Sequence, residues 1–136
     1  MSPIERKTAG VPTLKRMPLY LRLLRKMKEN GVEYASGSVV AKELGFDPIV
    51  ARKDLAITGA IGRPRLGFQI DEIINAIEEF LGWSNTTDAF LVGAGNLGTA
   101  LLGYKGFDQH GLRIVAAFDK NPDYIGKTVQ GKMILD

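Results

Sequence analysis

Three glycines in one short turn, followed by an acidic residue, have the types and spacing that indicate chemistry. The turn is Gly93–Gly98, of pattern GxGxxG, and Asp119 lies 21 residues after its last glycine. Gly93 would permit the tight turn, Gly95 would let the backbone approach a pyrophosphate, and Gly98 would allow helix and strand to pack closely. Asp119 would bind a ribose 2′-hydroxyl and repel a 2′-phosphate, which favours NAD(H) over NADP(H). The predicted cofactor-binding residues are Gly93, Ala94, Gly95, Asn96, Leu97, Gly98 and Asp119.

The segments around this turn have the order that such a site requires. An apolar strand, residues 89–92, precedes the turn, and a helix follows it. A second apolar strand, residues 114–118, ends directly before Asp119. The unpaired N–H groups at the start of the helix would face the phosphates. A GxGxxG motif alone is weak evidence, but a motif inside a strand–turn–helix–strand unit with a terminal acid predicts a dinucleotide site.

Length and composition restrict the class of protein. The 136 residues allow one ordinary domain or two very small ones. No apolar run approaches the roughly 20 residues needed to span a bilayer, and the N-terminus lacks the apolar segment of a signal peptide. The absence of cysteine fits a reducing compartment. We therefore expect a cytoplasmic protein without a membrane partner, and no spacing typical of metal ligands is present.

Charge is distributed unevenly along the chain. Residues 1–70 contain 13 Lys and Arg against 6 Asp and Glu, a balance of +7, whereas residues 71–136 contain 5 against 9, a balance of −4. A basic first half joined to an acidic second half indicates that the first half binds a polyanion. The alternative is a solvated basic surface without a partner. The predicted helices and turns of the first half decide between these two interpretations.

That first half contains three predicted helices. Pro18 suits the first position of a helix that ends near Asn30, with Tyr20, Leu23, Leu24 and Met27 on one apolar face. Ser36 or Ser38 can cap a short helix, residues 39–44, that Gly45 ends. Asp47 can cap a third helix, with Pro48 at its first position, that runs to about Thr58. The second and third helices match a helix-turn-helix.

The third helix and the segment after it carry exposed basic residues. If Ala51 and Leu55 face inward, Arg52 and Lys53 face solvent, as on a recognition helix. Residues 61–70 have apolar ends around a Gly/Pro turn that holds Arg63 and Arg65, which predicts a β-hairpin wing. The helix would enter the major groove, and the wing would contact the adjacent minor groove or phosphates. The candidate DNA-binding residues are Ser38, Arg52, Lys53, Arg63 and Arg65.

A fourth predicted helix closes the first domain. Asp71 would cap residues 72–81, whose isoleucines, Phe80 and Leu81 form an apolar stripe. Gly82 ends this helix, and a polar linker, residues 83–87, follows. We predict an α/β chain with a winged helix-turn-helix domain at residues 1–82 and an incomplete Rossmann dinucleotide-binding domain at residues 83–136.

In this order, the motifs resemble those of the redox-sensing transcriptional repressors of the Rex family. The resemblance covers nearly the whole chain and is carried by Pro18–Arg22, Arg52–Leu55, Gly62–Phe68, Val92–Gly98 and Ala117–Asp119. It implies a cytoplasmic, homodimeric repressor that binds operator DNA when NADH is scarce and releases it when NADH rises. It implies that Arg52, Lys53 and the wing arginines contact DNA. It also implies that Arg22 and Tyr104 link the two domains differently in the two states.

Two departures from the family pattern stand out. The wing reads Gly-Arg-Pro-Arg-Leu-Gly-Phe where a Lys-Arg-Gly-Val-Gly-Tyr type sequence is common, and residues 56–59 replace a more aromatic Ser-Tyr-Phe-Gly type segment, so operator preference can differ. The sequence also stops at or just after a third strand. The resemblance places the rest of the nicotinamide pocket and an exchanged C-terminal helix beyond that point. We therefore expect a fragment or truncated product whose ability to dimerise and switch stays open.

Two other functions remain open from the residues alone. The glycine turn also occurs in NAD-dependent oxidoreductases, so the chain could be a fragment of such an enzyme. That reaction needs a proton donor or acceptor, and the one histidine, His110, lies in a polar stretch that suits a surface loop. We expect no catalytic residue and no enzyme activity. A winged-helix protein that responds to another nucleotide is the second alternative, since Asp119 does not select the base.

Overall fold

A computed structural model describes residues 9–136, and the chain divides into two compact units after Leu81. The first eight residues, which belong to the predicted first domain, lie outside the described residues. The first unit has the elements α1 (Val11–Glu29), β1 (Tyr34–Ala35), α2 (Gly37–Leu44), α3 (Pro48–Ile57), β2 (Phe68–Gln69) and α4 (Ile70–Phe80). The second unit has β3 (Thr87–Val92), α5 (Asn96–Gly103), a 3₁₀ helix (Lys105–His110), β4 (Leu112–Phe118), β5 (Thr128–Val129) and β6 (Lys132–Leu135).

Helix α1 begins seven residues earlier than the sequence predicts. It starts at Val11 after Gly10, with Pro12 in its first turn, and Pro18 lies inside it. The prediction that Pro18 begins the helix is therefore wrong. The added turns are stabilised by tertiary contacts, because Met17 is fully buried and Arg16 pairs with Asp54 of α3. These contacts outweigh the backbone hydrogen bond that a proline inside a helix removes.

Helices α2 and α3 have the caps that the sequence predicts. Ser36, rather than Ser38, caps α2, and its hydroxyl accepts a hydrogen bond from the Val39 N–H. Gly45 ends α2 in the left-handed conformation. The Asp47 carboxylate accepts hydrogen bonds from the N–H groups of Ile49 and Val50 and caps α3. These local signals are strong because each satisfies backbone groups that the helix leaves unpaired.

The wing is smaller than the predicted hairpin. Its two sides meet at a single bridge between Arg63 and Gly67. Strand β2 pairs with β1, in the register Tyr34 to Gln69 and Ala35 to Phe68. The segment after α3 is thus fixed to the start of α2, and only residues 63–67 project as a closed loop.

Helix α4 follows β2 without a gap, which changes its cap. Gln69, not Asp71, is the capping residue, and its side-chain oxygen accepts a hydrogen bond from the Glu72 N–H. Asp71 instead lies in the first turn, where its carboxylate pairs with Lys28 at 2.5 Å. The Ile70 N–H donates to the Glu33 carbonyl, so the strand pairing determines where the helix begins.

The second unit is built on a four-stranded sheet of order β3-β4-β6-β5. Strands β3, β4 and β6 are parallel, and β5 is antiparallel to β6. The parallel strands thus have the 1-2-3 neighbour order of one half of a dinucleotide-binding sheet. The buried residues of the unit's hydrophobic core are Ala94, Leu102, Ile114, Ala117 and Ile134. None of the helices in the described part of the chain is long and apolar enough to cross a membrane.

Candidate nucleotide site and DNA-binding surface

The glycine turn leaves β3 at the carboxyl edge of the sheet. Gly93 has a φ of +98°, a conformation that favours glycine, and its N–H donates to the Phe118 carbonyl at 2.8 Å. Gly95 caps α5, and a methyl group added to it would meet no atom within 4 Å. The turn is therefore fixed to the sheet at one end and open above Gly95. A phosphate could approach this backbone closely.

Gly98 has a different task from Gly95. A Cβ atom at position 98 would lie 1.9 Å from the Gly93 carbonyl oxygen, so no side chain fits there. The contact is with the turn itself more than with the strand, since Leu91 Cδ2 would be 3.4 Å away. Ala94, which lies between Gly93 and Gly95, is buried. Asn96 and Leu97, at the start of α5, are exposed, and Leu97 is 74% exposed. The backbone of the turn, rather than its side chains, forms the candidate phosphate site.

The Asp119 carboxylate is held against this turn. Its Oδ2 accepts a hydrogen bond from the Ala94 N–H at 2.7 Å, and its Oδ1 accepts one from the Asn121 N–H at 2.8 Å. The backbone hydrogen bonds from Asn121 and Ala94 lower the pKa of Asp119 below its ordinary value of 3.8. Each oxygen retains a lone pair for another donor. The geometry thus presents a charged acceptor beside the open backbone of Gly95.

A cleft of about 440 Å³ lies at this edge of the sheet. It is lined by Val92, Gly93, Phe118, Asp119, Lys120 and Asp136. The carboxyl ends of three parallel strands meet here, where open α/β sheets bind their ligands. An open glycine backbone, a helix N-terminus and a fixed carboxylate fit the pyrophosphate and ribose of a dinucleotide.

On the first unit, α3 presents its basic residues to solvent. Ala51 and Leu55 are fully buried, and Arg52 and Lys53 are exposed, as predicted from their spacing. The Arg52 guanidinium donates a hydrogen bond to the Ser38 hydroxyl at 3.0 Å. A Cβ atom at Gly37 would lie 2.8 Å from Arg52 Cγ, so this glycine lets the arginine pass over α2. Ser38 and Arg52 thus form one polar surface at the junction of the two helices.

The wing arginines differ in their surroundings. Arg63 donates to the Tyr34 hydroxyl at 2.6 Å and lies 3.7 Å from the Glu72 carboxylate. Arg65 is exposed and has a φ of +65°. Gly67 closes the loop, because a Cβ atom there would lie 2.6 Å from the Ala35 carbonyl oxygen. The structure therefore places both predicted arginines on the wing but fixes only Arg63 by side-chain contacts.

A buried polar cluster behind α3 was not predicted from the sequence. Asp54 is 3% exposed and accepts hydrogen bonds from Arg16 Nε at 2.5 Å, from Arg16 Nη2 at 2.9 Å and from the Tyr20 hydroxyl at 2.6 Å. Burial disfavours the charged form, yet the hydrogen bonds from Arg16 and Tyr20 outweigh it and lower the pKa of Asp54. An available signal was the acid's position three residues after the inward-facing Ala51. The cluster ties the candidate recognition helix to α1.

The residues proposed for a link between the domains occupy separate units. Arg22 is exposed on α1. Tyr104 follows α5, is 59% exposed, and packs edge-on against Phe107 with ring centroids 5.0 Å apart. The His110 Nδ1–H donates a hydrogen bond to the Gly106 carbonyl at 2.7 Å, and the ring packs edge-on against Trp83 with ring centroids 4.4 Å apart. Within residues 9–136, no group of three His, Cys, Asp or Glu side chains is placed to hold a metal ion.

Each unit matches a known protein family. Residues 10–56 match a family described as "Putative DNA-binding protein N-terminus". Residues 84–136 match a family described as "CoA binding domain". The first match contains α1, α2 and all of α3 except its last residue, and the second contains the glycine turn and Asp119.

Longer relatives match both units together. The redox-sensing transcriptional repressor Rex of Treponema denticola is 49% identical over 125 residues, which are 92% of this chain and 60% of that protein. Crystal structures of RSP, a Rex-family repressor, are also similar to this chain. The complex of RSP with β-NAD⁺ and operator DNA gives a TM-score of 0.85 at 28% identity, and the complex with β-NADH gives 0.76 at 27%. Each covers 96% of this chain and 60% of the RSP chain.

These matches confirm the predicted fold class, a winged helix followed by part of a Rossmann domain. The chain spans about 60% of the length of these relatives. The relatives are named transcriptional repressors. This agrees with the predicted function of a regulator and does not favour the alternative of an oxidoreductase. The chain belongs to the Rex family of redox-sensing transcriptional repressors.

Proposed function

We propose that this chain forms the DNA-binding domain, residues 1–82, and the adenine-nucleotide part of the NAD(H) domain, residues 83–136, of a cytoplasmic repressor. The repressor binds operator DNA as a homodimer and releases it as the ratio of NADH to NAD⁺ rises. One observation carries the proposal. The carboxylate of Asp119 is held against the glycine turn in a chain whose other unit exposes Arg52 and Lys53 on a capped helix.

In the proposed nucleotide site, backbone N–H groups bind the pyrophosphate and a side chain binds the ribose. The N–H groups at Gly95 and the start of α5 bind the pyrophosphate, because they are unpaired and lie at the positive end of a helix. Asp119 accepts hydrogen bonds from the adenosine ribose and repels a 2′-phosphate. Gly93, Ala94, Asn96, Leu97 and Gly98 complete the turn. The nicotinamide, when bound, supplies the redox difference that the repressor senses.

The proposed DNA surface combines a helix and a loop. Arg52 and Lys53 enter the major groove, where base edges distinguish sequences. Ser38 orients Arg52 through the hydrogen bond at 3.0 Å. Its hydroxyl is on the exposed surface beside Arg52 and can also bind a DNA phosphate. Arg63 and Arg65 bring the wing to the adjacent minor groove. The structure of RSP with β-NAD⁺ and operator DNA supports the choice of double-stranded DNA as the partner.

Regulation requires a coupling free energy between the two sites. NADH has to favour a state with low DNA affinity, and by linkage DNA has to lower NADH affinity by the same factor. We propose Arg22 and Tyr104 as residues of this coupling, on the basis of the family resemblance. In a homodimer the coupling acts on the separation of two recognition helices, which must enter successive major grooves about 34 Å apart.

A titration tests the proposal directly. A fluorescent palindromic operator duplex is titrated with the protein at one salt concentration, without nucleotide and with NAD⁺, NADH, NADPH or CoA. We expect NADH to weaken DNA binding more than the other additions. Unchanged DNA affinity in NADH would reject the sensor function. A response to CoA alone would assign the site to the ligand for which the second matching family is named.

A double variant tests the division into two domains. Replacement of both Arg52 and Lys53 by alanine should weaken DNA binding and leave NADH affinity unchanged, because these exposed residues lie in the first unit. The matched control replaces Arg113 and Lys127, two exposed basic residues of the second unit that lie outside the proposed DNA surface and outside the lining of the nucleotide cleft. Equal loss of DNA and NADH affinity in the Arg52 and Lys53 variant would contradict the assignment.

A further inference from the structure

The two arginines of the wing loop, residues 63–67, have unequal freedom. The backbone of Arg63 forms both hydrogen bonds of the bridge to Gly67, at 2.7 and 2.9 Å. Its guanidinium donates to the Tyr34 hydroxyl and lies 5.4 Å from the centre of the Tyr34 ring, with Glu72 on another side. Arg63 is therefore held at the base of the loop by three side-chain contacts.

Arg65 is held by the backbone alone. The Leu66 N–H donates to the Arg63 carbonyl at 3.1 Å, so Pro64 and Arg65 are the central residues of a β-turn. A positive φ at the second central residue is the pattern of a type II turn, in which proline favours the first position and glycine the second. Arg65 thus occupies, at a conformational cost, a position that suits glycine. No side-chain hydrogen bond or ion pair among residues 9–136 involves its guanidinium.

Elsewhere in the described chain, one other non-glycine residue has a positive φ. Gln130 lies in the two-residue connection between β5 and β6, where a hairpin demands that conformation. The wing turn makes a similar demand, but here it places a cation at the tip of a basic surface. A residue that strains the backbone without stabilising side-chain contacts points to a function outside the folded unit.

We propose that Arg65 is the one arginine of the wing that enters the minor groove, and that Arg63 is a positioning residue. This inference rests on the proposed DNA-binding function and names the group that reads the minor groove. The planar guanidinium is attracted to the strong negative potential of a narrow A·T minor groove. At G·C pairs the 2-amino group of guanine projects into the minor groove, where it hinders the entry of a side chain and distinguishes G·C from A·T pairs. Arg65 therefore gives the wing a preference for A·T pairs.

The test uses variants with opposite effects on folding and binding. Arg65→Gly relieves the backbone strain and removes the guanidinium, so we expect an equal or higher melting temperature and about tenfold weaker DNA binding. Arg113→Gly removes one positive charge from the second unit and serves as the charge-matched control. The probes are duplexes of roughly 30 base pairs, long enough for two half-sites, that the unaltered chain enriches from a randomised pool.

Base substitution in the probe isolates the minor groove. The A·T pairs under the wing are replaced by G·C pairs and, in a third probe, by inosine·C pairs, which lack the 2-amino group. We expect the unaltered chain to bind the A·T and inosine·C probes alike and the G·C probe about tenfold more weakly. In Arg65→Gly this discrimination disappears. Discrimination that persists in Arg65→Gly would overturn the inference.

A double-mutant cycle tests the positioning role of Arg63. Tyr34→Phe removes the hydroxyl that accepts the Arg63 hydrogen bond and keeps the ring. We expect it to reduce the A·T preference in the unaltered chain and to have no further effect in Arg65→Gly. Independent, additive effects would assign Arg63 a merely structural role. If the unaltered chain enriches no duplex at all, the proposed function fails, and this outcome is distinct from a null effect of Arg65→Gly.

Discussion

The Asp119 carboxylate accepts a hydrogen bond from the Ala94 N–H at 2.7 Å and so joins the end of β4 to the glycine turn after β3. The acid that is proposed to bind the ribose is therefore also a structural part of the phosphate site. Its second oxygen accepts the Asn121 N–H, which fixes the carboxylate from the other side. Substitution of Asp119 is expected to alter both nucleotide selectivity and the order of the turn.

Two substitutions of Asp119 separate these effects. Asp119→Asn retains one oxygen that can accept the Ala94 N–H, but it loses the charge and the second oxygen, which accepts the Asn121 N–H. We expect the affinity for NADPH relative to NADH to rise about tenfold, the size of one charge-assisted hydrogen bond. Asp119→Ala should relax the selectivity too and also weaken both nucleotides, because it removes the acceptor. Fluorescence titration with NADH and NADPH measures the ratios, and an unaltered ratio in Asp119→Asn would remove this role.

The glycines of the turn provide a matched pair for a second prediction. At Gly98 a methyl group would lie 1.9 Å from the Gly93 carbonyl, whereas at Gly95 it would meet nothing within 4 Å, and Gly95 has a φ of −67° that alanine adopts freely. We expect Gly98→Ala to lower both the melting temperature and NADH affinity. Gly95→Ala should leave the melting temperature unchanged and weaken NADH by about tenfold or more, because the methyl group blocks charge-assisted contacts to phosphate.

Thermal denaturation and NADH titration of the two variants decide between the roles of the glycines. If Gly95→Ala binds NADH as tightly as the unaltered chain, the pyrophosphate does not lie on this backbone. Gly103→Ala is a further control for a glycine on α5 outside the turn, since its added methyl group would meet only the flexible side chain of Gln130.

Local signals in the sequence were sufficient for the parts of the fold that local energies decide. Ser36, Asp47 and Gly45 satisfy backbone groups at the ends of α2 and α3, and the same residues would do so in an isolated peptide. The glycine turn was likewise predictable, because each glycine has its own steric reason. The exposure of Arg52 and Lys53 followed from the burial of Ala51 and Leu55.

Features decided by contacts between distant residues were not predictable in this way. The start of α1 depends on the pairing of Arg16 with Asp54, which are 38 residues apart. The cap of α4 depends on the pairing of β2 with β1, which places Gln69 rather than Asp71 at the helix start. The conformation of Arg65 follows from the β-turn from Arg63 to Leu66, which the spacing of residues did not predict.

The hydrogen bond between Ser38 and Arg52 gives a third prediction. Ser38→Ala removes the acceptor and frees the guanidinium on an exposed surface. We expect stability to change little, since hydrogen bonds of exposed groups contribute little, and DNA affinity to fall by about two- to fivefold because Arg52 loses its orientation. The DNA titration at fixed salt measures the change. In an Arg52→Ala background Ser38→Ala should have no further effect on DNA affinity, and a further loss would show that the hydroxyl binds DNA directly instead of acting through Arg52.

The last prediction concerns the buried cluster of Arg16, Tyr20 and Asp54. Asp54→Asn removes the charge that Arg16 faces, and we expect the free energy of unfolding to fall by about 3 kcal/mol, as for one partner of a buried pair. Tyr20→Phe keeps the ring and removes one donor, so a loss of about 1 kcal/mol is expected. Urea denaturation measures both, and equal losses would show that packing, not charge, dominates the cluster.

The pH dependence of stability tests the same cluster independently. Because the pKa of Asp54 is lowered in the folded state, its contribution to stability is fully present above the ordinary value of 3.8 and disappears as pH falls through the lowered pKa. The difference in unfolding free energy between the unaltered chain and Asp54→Asn should therefore be constant near neutral pH and shrink in acid. A difference that stays constant down to strongly acidic pH would contradict a charged Asp54. Since Asp54 follows Arg52 and Lys53 on α3, loss of this anchor should also weaken DNA binding at neutral pH, where Asp54→Asn remains folded.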